Sequence, residues 1–89
     1  MFDWDNANLD HIGEHGVEPE EAEEAILDPM RVARTAYAVA GERRNALVGA
    51  TQDGRRLFVV VTRRWGATRV VSARDATDAE KRIYQTKRK

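Results

Sequence analysis

The chain has 89 residues, no cysteine and a formal net charge of zero, although 34% of its residues are charged. A chain of this length forms one small domain, residues 1–89, with a modest core and functional groups close to its surface. The absence of cysteine excludes disulfides, thiolate metal sites and a cysteine nucleophile. The longest apolar run, Leu57–Val61, is far below the roughly 18 residues of a membrane helix.

The opening segment MFDWDNANLD is acidic from its third residue and does not read as a secretory signal, so a soluble cytoplasmic protein is expected. Within it FDW can form a short first strand. Asp5 or Asn6 then caps a helix through about Glu14, with Ala7, Leu9 and Ile12 on its apolar side. His15-Gly16 reads as the stop, because glycine supplies a left-handed residue after a helix. VEPEEAEEAIL gives a second helix. Pro19 fits its first position, and Glu20, Glu21, Glu23 and Glu24 favour the positive end of its dipole. Val17 can staple against Ala22, and Ala22, Ala25 and Ile26 form the buried stripe.

After Asp28-Pro29 the period becomes extended. RVARTAYAVA is ambiguous but favours a strand. A turn at Gly41-Glu42 leads to RRNALVGAT, with Ala46, Val48 and Ala50 on one side. Asp53-Gly54 is a hairpin signal before RRLFVVVTRR, which is apolar on both faces as a central strand should be. Trp65-Gly66 turns into TRVVSAR. ATDAEKRIYQ closes the chain as a helix with a Thr77/Glu80 capping box and Ile83 and Tyr84 packing inward, and the tail KRK reads as frayed. The expected fold is α+β: two N-terminal helices, an antiparallel sheet of about four strands and a C-terminal helix, with the helices mainly on one face.

Charge is segregated along the chain. Residues 1–30 hold ten acidic and no basic residues, whereas residues 31–89 hold all fifteen cations and five acids. An acidic face for a basic protein partner with a basic face for nucleic acid would explain this, as would neutralisation of one half by the other across the fold. The arginines come in pairs at strand ends: Arg43-Arg44, Arg55-Arg56 and Arg63-Arg64. Adjacent strand residues point to opposite faces, so each pair puts one cation on each side. With Arg69 and Arg74 they can clamp phosphates, or simply solvate strand ends. Trp4, Tyr37, Trp65 and Tyr84 can stack on bases or serve as core and rim residues.

HIGEH at 11–15 has the H-x-x-E-H spacing of a zinc peptidase. A catalytic zinc needs a third protein ligand, and with no further histidine or cysteine a distant carboxylate would have to serve. Gly16 also puts His15 in the least rigid turn of the helix, and the chain is short for a peptidase cleft, so no metal site is expected. His15 instead suits either an interaction with the last carbonyls of a helix or proton transfer near neutral pH.

Taken together, FDWD at 2–5, HGVEPEEAEEAILDP at 15–29, GER at 41–43, LFVVVTRR at 57–64 and TRVVSARDAT with the following Glu80 and Ile83-Tyr84 resemble the BrnT family of type II toxin–antitoxin toxins. The resemblance implies a RelE-like ribonuclease fold, RNA as substrate, no cofactor, and a DNA-binding antitoxin of the BrnA type. It assigns proton transfer to His15, a charge clamp to Arg63 and Arg74, and stacking or positioning to Tyr84. Arg43, which the resemblance also matches, and Arg44, Arg69 and His11 are the candidates for substrate contact. The chain departs from the family at Glu14, where a basic residue is usual. That departure keeps open a non-catalytic RelE-like module binding a protein or RNA partner. A homodimer through an open sheet edge is compatible with both readings.

Overall fold

The computed structural model describes residues 1–88, with side chains through Thr86. The chain runs β1 (Phe2–Asp3), α1 (Asn6–Gly13), α2 (Pro19–Leu27), β2 (Val32–Ala33), β3 (Tyr37–Val39), β4 (Glu42–Ala50), β5 (Arg56–Arg64), β6 (Ala67–Asp75) and α3 (Asp78–Arg88). Of the tail read as frayed, Lys89 and the side chains of residues 87 and 88 lie outside this description.

The expected α+β architecture holds, and its details differ. The sheet has six strands in the order β1-β6-β5-β4-β2, with β3 also paired to β4. The two strands beyond the expected four are β1, the short FDW strand, and the second piece of a divided segment. RVARTAYAVA is not one strand but two short ones, β2 and β3, pairing with different stretches of β4. β1 lies parallel to β6, through Phe2–Thr68 and Asp3–Arg69, so the sheet is not wholly antiparallel. The β2/β3 edge leaves Tyr37 and Val39 43% and 42% exposed.

The helices cover both faces rather than one. Leu47, Leu57 and Val59 join Ile12, Val17, Ala22 and Ala25 in a core beneath α1 and α2. Their strand neighbours Val48 and Phe58 point the other way and pack with Val32, Ala76, Ile83 and Tyr84 beneath α3. A strand that is apolar at successive residues needs cover on both sides, because alternate side chains face opposite ways. Each such buried aliphatic side chain contributes roughly 1.5–3 kcal/mol.

Asp5 caps α1 as expected, accepting from the Asn8 N–H at 2.9 Å. The inward positions are Asn8 and Ile12, whereas Ala7 and Leu9 are exposed; a single helical turn separates the two buried groups, so the stripe is narrower than the expected Ala7-Leu9-Ile12 face. Pro19 opens α2, and the Glu18 N–H donates to Glu21 Oε1 at 3.0 Å. At α3 the predicted box forms: the Thr77 N–H donates to Glu80 Oε1 at 2.8 Å and the Glu80 N–H to Thr77 Oγ1 at 3.2 Å. No helix among the described residues is long and apolar enough to cross a membrane.

Candidate nucleic-acid interface

The candidate residues fall at three places. The first is the turn between α1 and α2. Helix α1 ends at Gly13, and His15 lies beyond it in a turn, its backbone N–H donating to the Ile12 carbonyl at 3.0 Å. Gly16 follows with φ +68°, the left-handed residue that the stop requires. His11 and His15 are both exposed, and their rings meet edge to face with centroids 6.0 Å apart. Arg55 fixes this turn to the sheet. Its Nη1 donates to the Gly16 carbonyl and to Glu21 Oε1, each at 3.0 Å, while its Nε donates to Asp75 Oδ1 at 2.8 Å. The guanidinium holds the Asp75 carboxyl below the ordinary carboxylate value. Arg55 was visible in the sequence only as half of an arginine pair after Asp-Gly; nothing local indicates that it reaches the α1–α2 turn.

The second place is the contact of α3 with the sheet. Arg74 donates through Nη1 and Nη2 to the two Glu80 oxygens at 2.9 and 3.0 Å. Its guanidinium also lies 4.3 Å from the Phe58 ring centroid. A bidentate carboxylate pair uses the same fork that would grip a phosphate. Arg74 raises no clamp unless it leaves Glu80, and Glu80 is held below its ordinary value chiefly by that bond. Tyr84 is 3% exposed, and its hydroxyl donates to Asp28 Oδ2 at 2.6 Å. The same carboxylate oxygen accepts from the Ala50 N–H at 2.9 Å. Of the two roles expected for Tyr84, base stacking requires an open ring face, and this ring is enclosed between α3 and the sheet, which leaves positioning.

The third place is the end of the sheet where the β3–β4 and β5–β6 hairpins turn. Arg44 and Arg64 both bond Glu42, at 3.3 and 3.1 Å. Arg69 is taken by Asp3 and Asp5, and Asp5 sits below its ordinary value through the Asn8 N–H first and Arg69 second. Arg43 and Arg63 are exposed and form no ion pair among the described residues. Thus part of the acidic first third neutralises the basic sheet, through Asp3, Asp5 and Glu21, and two expected site cations are left over, Arg63 of the charge clamp and Arg43 of the substrate contacts.

These places do not converge. Arg63 stands at the far end of β5 from Arg55 and the His15 turn, about 26 Å along the strand. Arg74 belongs to the α3 face, opposite to the α1–α2 face. Among the described residues no group of three or more histidine, aspartate or glutamate side chains is arranged to hold a metal ion.

A family described as the ribonuclease toxin, BrnT, of type II toxin–antitoxin systems matches residues 4–80. No individual curated protein matches the chain. The match takes in every element from the first helix to the cap of α3, including all three hairpins from β3 to β6 and the His15 turn. With the α+β fold and the segments quoted above, it places the chain in the BrnT family of type II toxin–antitoxin ribonuclease toxins.

Proposed function

We propose that the protein arrests growth as a metal-independent endoribonuclease acting on cytoplasmic RNA, and that a co-expressed DNA-binding antitoxin of the BrnA type silences it. The observation that carries this reading is the pair of exposed imidazoles with ring centroids 6.0 Å apart, His11 on the last turn of α1 and His15 on the following turn, which Arg55 braces. Cleavage of RNA needs a base to take the proton from a ribose 2′-hydroxyl as its oxygen attacks the adjacent phosphorus. It also needs an acid to protonate the 5′-oxygen as the P–O bond breaks. His15 is the proton-transfer group, and His11 contacts the same phosphate. Arg43 and Arg63 hold the strand elsewhere on the sheet through its phosphates. Arg74, Arg44 and Arg69 join them only by leaving their carboxylates, and Tyr84 acts by anchoring α3.

Purified protein incubated with mixed RNA and EDTA tests this. Wild type is expected to cleave, and His15→Ala to lose about 10²–10⁴-fold in rate while remaining folded. Glu14→Lys, which restores a cation beside His15, is expected to cleave faster. A chelator-sensitive rate overturns metal independence. Equal inactivity of all three folded proteins favours the second reading, a non-catalytic partner-binding module, to which Glu14 and the carboxylate-paired arginines lend support.

A further inference from the structure

Neither the fold nor the chemistry at His15 has a use for the tip of the β5–β6 hairpin. Trp65 is 96% exposed, and its φ is +51° beside Gly66 at +78°. Two successive positive φ angles define a tight hairpin turn that favours Asn, Asp or Gly at its first central position. A large indole held in water on backbone that penalises a Cβ adds nothing to the core. Arg63 lies against this turn, its Nη2 donating to the Gly66 carbonyl at 3.3 Å. Arg43 is its neighbour across the strands. The two arginines lie one residue beyond the last β4–β5 pair, Arg44 with Thr62, and alternation turns both to the face opposite that pair. Like charges at such positions repel. The other arginines of this end are neutralised by Glu42, Asp3 and Asp5, whereas Arg43 and Arg63 have no carboxylate among the described residues.

We propose that this hairpin end is a subsite for single-stranded RNA, in which a base stacks on the Trp65 indole and the flanking phosphates are held by Arg63 and Arg43. The subsite rests on the RNA-cleaving reading above and gives the strand a hold distant from the His15 turn. Two unpaired guanidiniums match a polyanion. The indole offers an open π-face with no surrounding pocket, which suits an unpaired base, since every base presents a flat face to stack. An acidic protein segment would satisfy the arginines and leave the indole bare.

The test is binding of the full chain to a uniformly 2′-O-methylated single-stranded RNA of mixed sequence, which lacks the attacking hydroxyl and separates binding from cleavage. Trp65→Asn supplies the residue that the turn prefers, so its melting temperature should equal or exceed that of wild type. Its affinity should fall about tenfold or more, and Trp65→Phe should recover part of the loss. RNA should quench tryptophan emission in wild type and not in Trp65→Asn. Arg43→Ala and Arg63→Ala should each flatten the dependence of log affinity on log salt by about 0.7. Arg82→Ala, an exposed cation on α3, should match wild type. Wild-type affinity in Trp65→Asn, with RNA still cleaved by wild type, overturns the subsite alone. A wild type that neither binds nor cleaves RNA overturns the ribonuclease reading and the subsite together. Unchanged RNA affinity with loss of antitoxin binding assigns the tip to a protein partner and also overturns the subsite.

Discussion

Replacing Gly49 by alanine tests how α2 is seated on the sheet. Gly49 is buried in β4, and a Cβ built on it would lie 2.1 Å from the Ala25 carbonyl oxygen and 2.8 Å from the Ala25 carbonyl carbon. Ordinary contact begins near 3.4 Å, so the helix would have to lift by about 1.3 Å. The obstacle is main chain, which no rotamer change can clear. Lifting α2 also separates Ala22 and Ala25 from Leu47, Leu57 and Val59, with which they form one core. Overpacking of this kind costs about 1–3 kcal/mol where side chains can adjust, and more where they cannot. About 3 kcal/mol is therefore expected for Gly49→Ala, a large share of the ~4–13 kcal/mol that stabilises a domain of this size. In a thermal melt followed by circular dichroism this corresponds to a drop of about 12–24 °C. Gly13→Ala is the control. Nothing lies within 4 Å of a Cβ there, so its melting temperature should hold or rise. A Gly49→Ala protein melting within about 3 °C of wild type would refute the close approach of α2 to β4.

Three further outcomes follow from the same geometry. Tyr84→Phe deletes a buried hydroxyl that donates to Asp28 and should cost about 1.5–3 kcal/mol in urea unfolding; a selective loss of cleavage at full stability would restore Tyr84 to the active centre. Glu80 and Asp75 are held below their ordinary values of 4.5 and 3.8 by Arg74 and Arg55, so their stabilising contribution is complete above about pH 5.5 and is lost as pH falls through those ordinary values toward the lower folded ones. Melting temperature should fall along that acid limb, more shallowly in Glu80→Gln, and an identical limb in the variant would refute the assignment. Arg55→Ala should speed amide exchange at His15–Val17 and reduce RNA cleavage more than its stability loss of about 1 kcal/mol explains; unchanged exchange would show that the turn stands without it.

Local chemistry determined much of this protein. Asp5, Pro19 and the Thr77/Glu80 box mark helix ends because each satisfies backbone groups within a few residues, a contest settled without distant partners. The Asp53-Gly54 and Trp65-Gly66 signals bracket β5 for the same reason, and the ordered segments shared with the BrnT family pointed to the ribonuclease toxins from the residues alone. Tertiary structure decided what depends on which side chains meet. Leu57–Val61 announced a strand apolar on both faces, but only the docked helices show α1 and α2 on one side and α3 on the other. Gly49 in the middle of β4 leaves room for a close backbone approach, and the approaching backbone, Ala25, lies 24 residues away in the chain. The arginines differ most. Along the chain they are equivalent cations, and folding gives Arg74 to Glu80, Arg69 to Asp3 and Asp5, and Arg55 to Glu21 and Asp75. Arg43 and Arg63 are left facing solvent, because charge pairing at this range is set by distances that only the packed sheet and helices define.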